Sequence, residues 1–271
     1  MIRLAWTYGV AVASTIFYGG TVAVRSALGI RWFAEFAERA TAGWASLILW
    51  GAGVDVVFRN ADRLGRDRGQ ILVSNHQSWF DVFSLAAGLP VRFSFVGKKE
   101  LSRIPFLGHA WEKVGHVAID RGDHQSALTS LQSVDGQVRG GGRTIIMFPE
   151  GTRSPTGELT RFKKGAFVMA IKAQVPVVPV AVFGSRRVMN KGSWKISPGT
   201  VTIRVGHPVE TTGLTLRDRD RLLKQVRAAI VELREGGADG SNQRDDAAAV
   251  SAIEPSRVEA AADVRMPRRL A

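Results

Sequence analysis

The sequence of 271 residues contains no cysteine. Disulfide bonds, thiolate zinc sites and a cysteine nucleophile are therefore excluded. The sequence also lacks the Gly-x-Ser-x-Gly pattern of a hydrolase nucleophile elbow and the Gly-x4-Gly-Lys-Ser/Thr pattern of a nucleotide-binding P-loop. Hydrolases and ATPases that depend on those patterns are thus disfavoured.

Acidic side chains are scarce relative to basic ones: 24 stand against 37, which gives a net charge of +13. Residues 236–271 hold five arginines and six acidic residues, so a surplus of +14 belongs to residues 1–235. Such an excess favours an anionic partner, whether nucleic acid, acidic lipid headgroups or phosphorylated substrates. Composition does not choose among them, and a basic nucleic-acid-binding protein is the alternative from another class.

Charged residues are also missing from two stretches near the N-terminus, residues 4–24 and 40–54. As a helix, the first would extend about 31 Å, one hydrocarbon thickness, whereas the second is too short to span a membrane. We predict that residues 1–53 form a hydrophobic helical hairpin that attaches the chain to a membrane. A pair of core helices and a secretory signal peptide are the alternatives, and spanning or interfacial attachment stays open. Aromatic side chains that favour membrane interfaces flank or interrupt both stretches: Trp6, Tyr8, Trp32, Trp44 and Trp50.

From residue 54 onward, short apolar runs alternate with helical patterns. Near-continuous β-branched runs separated by helices indicate an α/β fold over residues 54–235, with a mainly parallel sheet flanked by helices. Residues 236–271 have no sustained periodicity and are predicted to be a disordered tail. The predicted strands cover residues 54–58, 71–74, 92–96, 114–119, 144–148, 177–183 and 201–205. The predicted helices cover residues 82–87, 125–138, 164–173 and 216–234.

A histidine and an aspartate follow the second predicted strand in the segment Asn75-His-Gln-Ser-Trp-Phe-Asp81. Ser78 and Asp81 have the spacing of a helix capping box, which folds the aspartate back over the helix N-terminus toward His76. A carboxylate on one imidazole nitrogen fixes the tautomer and leaves the other nitrogen to take a proton. The alternative is that Asp81 only caps a helix and His76 is an ordinary loop histidine.

A second segment combines glycine with basic residues. It runs from Pro149-Glu-Gly-Thr-Arg153 to Arg161, Lys163 and Lys164, which open a predicted helix. Basic residues in a first helical turn oppose the helix dipole, so their position is better explained if an anion such as phosphate binds there. The alternatives are a solvated basic hairpin and, for Glu150, a structural ion pair.

Four ordered motifs resemble those of the glycerolphosphate acyltransferase family. His76-x4-Asp81 is similar to the first motif, and Phe148-Pro-Glu-Gly-Thr-Arg-Ser154 is similar to the third. The segments Gly115-His-Val-Ala-Ile-Asp-Arg121 and Val175-Pro-Val-Val-Pro179 resemble the second and fourth. Residues 97–101 and 104–108 also look like the branch that acylates 1-acyl-glycerol-3-phosphate. The resemblance covers residues 54–210.

The resemblance implies a role for each matching residue. His76 would deprotonate the acceptor hydroxyl, and Asp81 would orient His76. Arg121 and Arg153 match positions associated with the acceptor phosphate, and we add Lys164 to this phosphate site. Glu150, Gly151 and Thr152 would shape the site.

The implied reaction transfers a fatty acyl group from acyl-CoA or acyl carrier protein to 1-acyl-glycerol-3-phosphate (lysophosphatidic acid), giving phosphatidic acid. Another lyso-lipid acceptor is the alternative. A thioester is already reactive, so neither a metal nor a cofactor is expected. The expected partners are the lipid acceptor, the thioester donor and an anionic bilayer surface, with no nucleic acid. The expected location is the bacterial inner membrane, with the catalytic domain on the cytoplasmic side.

Overall fold

The computed structural model describes residues 2–29, 33–120, 136, 138, 142–236 and 263–266. Three short 3-10 turns lie in this part of the chain, at Ala61–Arg63, Lys99–Arg103 and Leu216–Asp218. The α-helices described are α1 (Ile2–Ala27), α2 (Phe33–Ala52), α3 (Trp79–Gly88), α4 (Leu107–Lys113), α5 (Gly165–Ala173), α6 (Ser185–Val188) and α7 (Arg219–Glu235). The strands are β1 (Val54–Arg59), β2 (Gln70–Ser74), β3 (Phe93–Lys98), β4 (Val117–Ile119), β5 (Thr144–Met147), β6 (Val177–Phe183), β7 (Gly199–Val205) and β8 (Asp263–Met266).

The described strands form one mixed sheet in the order β4-β3-β5-β2-β6-β7-β1-β8. The pairs β3–β4, β3–β5, β2–β5, β2–β6 and β1–β7 are parallel. Only β6–β7 and β1–β8 are antiparallel among the described pairs. The prediction of a mainly parallel sheet flanked by helices is therefore confirmed.

Helices cover both faces of the sheet, as the near-continuous apolar strands require. All five residues of β2 are buried. Leu72 joins the core beneath α2 and α3, whereas its neighbours Ile71 and Val73 join the core beneath α5 and α7, because successive strand residues point to opposite faces. The carboxyl end of β2, which leads to His76, thus lies in the middle of a sheet covered on both sides.

The hairpin formed by α1 and α2 packs closely through small residues. Arg3 at the start of α1 donates to the Ala52 carbonyl at the end of α2 (3.2 Å), so the helices run antiparallel. Thr7 Oγ1 donates to the Gly51 carbonyl at 2.9 Å. A Cβ added to Gly51 would lie 3.0 Å from Val10 Cβ, so glycine is what permits this approach. The predicted hydrophobic helical hairpin is present.

The structure differs from the predicted boundaries in several places. The strand predicted at 114–119 begins at Val117, because Val114 ends helix α4 and Gly115 has φ +91°. Helix α4 was not predicted, and α2 begins well before the uncharged stretch at residue 40. The tail predicted to be disordered contains β8, which pairs with β1. The predicted helix 125–138 lies almost entirely outside the described residues.

Candidate active site

His76 and Asp81 lie at the junction of β2 and α3. Ser78 is the N-cap of α3, its hydroxyl accepts the Phe80 backbone N–H, and the Asp81 carboxylate accepts the Ser78 backbone N–H at 2.9 Å. The predicted capping box is therefore confirmed. The same fold-back brings Asp81 Oδ2 to 2.8 Å from His76 Nδ1. The turn thus pairs two residues that a continuous helix would point in different directions.

The Asp81 carboxylate is fully buried and is a strong local acceptor. Besides His76 and Ser78, its Oδ2 accepts the Gln77 backbone N–H at 2.6 Å. The His76 ring is 16% exposed and stacks on Phe148 with ring centroids 4.1 Å apart. Because Nδ1 faces Asp81, the imidazole presents Nε2 as the nitrogen available to a substrate. This arrangement suits a general base.

Asn75 fixes the other side of the His76 loop. Its side-chain amide donates to the Val182 carbonyl at 2.9 Å and accepts the Val182 backbone N–H at 2.7 Å. Asn75 and Val182 are both buried. The side-chain amide therefore continues the hydrogen bonding between β2 and β6 one residue beyond the end of β2. Sequence reasoning missed Asn75, because its partner lies 107 residues away.

Glu150 joins the two predicted functional segments. One carboxylate oxygen accepts the His76 backbone N–H at 2.8 Å, and the other accepts the Thr160 backbone N–H and hydroxyl at 3.0 and 2.8 Å. Ser154 adds a backbone N–H donated to the His76 carbonyl at 2.8 Å. The loop that follows β5 is therefore held directly against the loop that carries His76.

Arg153 places a positive charge beside this pair. Its guanidinium carbon lies 5.2 Å from the centre of the Trp79 ring, a cation–π contact at the start of α3. Partial burial lowers the pKa of Arg153, and the Asp81 carboxylate opposes that shift. A guanidinium stays charged under such a shift and is suited to a phosphate ligand.

The structure places the remaining predicted residues as follows. Gly151 has φ +73°, and a Cβ there would lie 3.0 Å from Lys163 Nζ. The Thr152 hydroxyl accepts Lys191 Nζ at 3.3 Å. Lys164 Nζ lies 3.2 Å from Asp220 Oδ1, and hydrogen bonds from Arg219 and, to a smaller extent, Lys164 lower the pKa of Asp220 to about 2. The Lys164 side chain is about half exposed in this ion pair, and Arg121 lies outside the described residues.

An apolar cavity lies between the helical hairpin and the sheet. Tyr18 and Val22 of α1, Trp44 of α2, Phe95 of β3 and Trp111 of α4 contribute to its lining. Aromatic and aliphatic walls of this kind suit an apolar ligand.

Comparison with known proteins identifies relatives of this chain. The family model described as Acyltransferase matches residues 55–183. A 1-acyl-sn-glycerol-3-phosphate acyltransferase of Limnanthes douglasii is 29% identical over 68% of this chain and 65% of its own length. The human protein named 1-acyl-sn-glycerol-3-phosphate acyltransferase alpha is 32% identical over 71% of this chain and 69% of its own length.

The fold of this chain is similar to that of a solved structure. The crystal structure of the 1-acyl-sn-glycerophosphate (LPA) acyltransferase PlsC from Thermotoga maritima superposes with a TM-score of 0.73 at 28% sequence identity. The superposition covers 86% of this chain and 95% of that one. The chain spans slightly under two thirds of the plant relative but nearly all of the bacterial structure.

Proposed function

Because this chain belongs to the acyltransferase family, we propose that it transfers a fatty acyl group from a thioester to the free hydroxyl of lysophosphatidic acid. The observation that carries the proposal is the 2.8 Å contact between His76 Nδ1 and the buried Asp81 carboxylate. A histidine oriented in this way is suited to deprotonate a hydroxyl.

In the proposed mechanism, His76 Nε2 takes the proton of the acceptor hydroxyl while that oxygen attacks the thioester carbonyl carbon. Asp81 stabilises the imidazolium that forms. When the tetrahedral intermediate collapses, the carbon–sulfur bond breaks and the thiolate receives the proton from His76. The products are phosphatidic acid and a free thiol. The thioester supplies the activation, so the proposed mechanism uses neither a metal nor a redox cofactor.

The acceptor is proposed from the charge beside the catalytic pair. The Arg153 guanidinium packs over Trp79, the first residue of α3, and interacts electrostatically with Asp81, so a phosphate monoester bound there could receive its charge-assisted hydrogen bonds. The relatives are named for 1-acyl-sn-glycerol-3-phosphate, whose headgroup is a phosphate monoester. The apolar cavity beside the hairpin is proposed to take an acyl chain.

The bilayer is the proposed site of action. By length and composition, α1 qualifies as a membrane span. Within its apolar stretch of 18 residues, 22% are buried in the protein. However, α1 contacts α2 along much of its length. Arg3 near its start donates a hydrogen bond to the Ala52 carbonyl, and Arg25 near its end packs over the Phe36 ring. A spanning helix would lose many of these contacts, so we propose that α1 lies in the interface.

The finer location is likewise a proposal. We place the protein at the bacterial inner membrane with its catalytic domain on the cytoplasmic side. The surplus of +14 in residues 1–235 supports this orientation, because cationic segments remain on the cytoplasmic side and cytoplasmic leaflets carry anionic lipids.

The test is acyl transfer by the purified full-length protein, with lysophosphatidic acid in vesicles and either acyl-CoA or acyl carrier protein as donor. We expect phosphatidic acid and one free thiol per product, and a loss of at least about a hundredfold in rate for His76→Ala. A panel of other lyso-lipids, including a lyso-aminolipid, tests acceptor choice. Near-normal turnover by folded His76→Ala protein would refute the mechanism.

A further inference from the structure

Residues 189–198, between α6 and β7, carry an exposed tryptophan that the active site does not use. We call this segment the Trp194 loop. Trp194 is 75% exposed, more than any other aromatic side chain in the described part of the chain. Gly192 has φ +80°, and Ser193 Oγ accepts the Lys195 backbone N–H, so a turn presents Trp194 at the tip.

The Trp194 loop is attached to the helical hairpin. The Tyr8 hydroxyl of α1 donates to the Trp194 carbonyl at 2.9 Å, and the two rings have centroids 6.1 Å apart. Trp6 and Trp50, from α1 and α2, are 53% and 41% exposed and meet edge to face at 5.7 Å. Exposed aromatic side chains from three separate segments therefore surround this end of α1.

The same loop is attached to the active site. Its first residue, Met189, offers a carbonyl that accepts the Ser78 hydroxyl at 2.8 Å, and Ser78 is the N-cap of α3. Lys191 Nζ donates to the Thr152 hydroxyl. The loop thus connects the exposed apolar face of α1 with both segments that build the site.

The chemistry of the loop matches the boundary of an anionic bilayer. Tryptophan favours the level of the lipid headgroups, and lysine is attracted to anionic headgroups there. Lys191 and Lys195 flank Trp194 and are exposed. The apolar surface continues along α1 through exposed Val12, Ile16 and Phe17. The aliphatic side chains of α1 thus continue from the aromatic and cationic side chains of the loop, which is the arrangement of a protein bound at a membrane interface.

We propose that the Trp194 loop is a second bilayer contact, in which Trp194 enters the headgroup boundary and its flanking lysines bind anionic lipid. The inference rests on the interfacial attachment proposed above and extends it to a segment outside the hairpin. Through Ser78 and Thr152, the contact sets the height of the active site above the acyl chains. A hydroxyl near the headgroup of a membrane lipid is then brought to His76 without extraction of the lipid.

The experiment measures the partition of purified full-length protein onto vesicles by flotation. One vesicle type is phosphatidylcholine alone, and the other is equal parts phosphatidylcholine and phosphatidylglycerol. Trp194→Ala should lower partition onto both types about tenfold, and Trp194→Phe should retain most of it. Leu216→Ala is the matched control. Leu216 is 48% exposed just before α7, on the face of the sheet opposite to α2 and α3, so no change in partition is expected.

The contribution of Lys195 is tested separately. Lys195→Gln should lower partition about fivefold on the anionic vesicles only, since one cation near such a surface contributes about 1 kcal/mol. The control Lys172→Gln, an exposed lysine of α5 on the opposite face, should have no effect. A loss on neutral vesicles equal to that on anionic ones would overturn the assignment of Lys195 to headgroups.

The outcomes separate this inference from the proposed acyl transfer. Trp194→Ala should keep wild-type rates on a short-chain, soluble acceptor but lose rate on vesicles. Partition equal to wild type overturns the loop proposal while acyl transfer stands. If the wild-type protein has no transferase activity, the partition data still decide the role of the loop. A change from dimer to monomer with unchanged partition would show that Trp194 contacts a second copy, and would also overturn the proposal.

Discussion

Asp81 Oδ2 is an acceptor for three donors, from His76, Gln77 and Ser78, and each needs a lone pair on an oxygen. An asparagine can place its amide oxygen at the Oδ2 position, since Oδ1 has no hydrogen-bond partner among the described residues, but that oxygen is neutral and therefore a weaker acceptor. The same carboxylate therefore shapes the loop, caps α3 and fixes the histidine tautomer. Its structural and chemical roles are inseparable in the native side chain.

For Asp81→Asn, we expect a folded protein that loses at least about a hundredfold in kcat, because the imidazolium loses its counter-charge. Unfolding should also become easier by about 1–3 kcal/mol, since buried donors lose an anionic acceptor. Steady-state rates with a soluble acceptor and thermal melts measure the two effects. Glu158→Gln, an exposed acid on the neighbouring loop, is the control and should change neither.

Arg153→Ala should weaken acceptor binding about ten- to a hundredfold, because one charge-assisted hydrogen bond to phosphate contributes roughly 1.5 to 3 kcal/mol. Donor binding should change less. The KM values for both substrates measure the difference, with exposed Arg217→Ala as the control. Equal weakening of donor and acceptor would instead assign Arg153 to the structure or to the donor's phosphates.

At the scale of elements, the edge formed by β3, β4 and α4 depends on a buried histidine. His116 accepts the Phe95 backbone N–H through Nδ1 and packs against Phe93 and Trp111. Burial, with a smaller contribution from the Arg143 guanidinium, lowers the pKa of His116 to about 3. The neutral ring is thus the form that this edge accommodates.

Acid should therefore destabilise this edge. The unfolded chain binds a proton at His116 below pH about 6.5 and the folded chain does not, so the stability present above 6.5 is lost progressively toward pH 3. Between pH 7 and 5.5, wild type should lose about 1 kcal/mol more than His116→Gln, which retains an acceptor for Phe95. Urea unfolding at the two pH values measures this, and equal losses would contradict it.

For the whole molecule, the helical hairpin is part of the core as well as the proposed membrane attachment. Ala45, Leu49 and Ala52 of α2 are buried with β1 in the main core, whereas α1 exposes Ile16 and Phe17. Deleting residues 1–53 would uncover that core. Substitutions confined to the exposed face of α1 therefore separate membrane binding from folding.

Ile16→Ser with Phe17→Ser should lower partition onto vesicles by more than about tenfold, since each side chain loses favourable burial in the acyl region. Activity on a short-chain, soluble acceptor should remain, because both side chains are exposed on α1 and belong to neither loop of the candidate site. Leu216→Ser controls for loss of surface hydrophobicity. Unchanged vesicle binding would show that α1 is not the attachment.

The sequence determined what depends on near neighbours. Apolar runs located β1 to β7 but not β8, and the spacing of Ser78 and Asp81 located the cap that brings Asp81 to His76. The short helix α4 was missed, because its seven residues are too few to show a clear helical periodicity. The resemblance of the motifs supplied the expected roles of His76, Asp81, Glu150 and Arg153.

The tertiary structure alone decided which distant groups meet. Glu150 accepts the His76 N–H from 74 residues away, and Asn75 reaches Val182 across 107. It also placed Lys164 Nζ 3.2 Å from Asp220 Oδ1, and set β1 beside β7 rather than β2. Such contacts depend on how loops close over a completed sheet. Residue type and spacing fix local geometry, but many different closures satisfy the same local pattern.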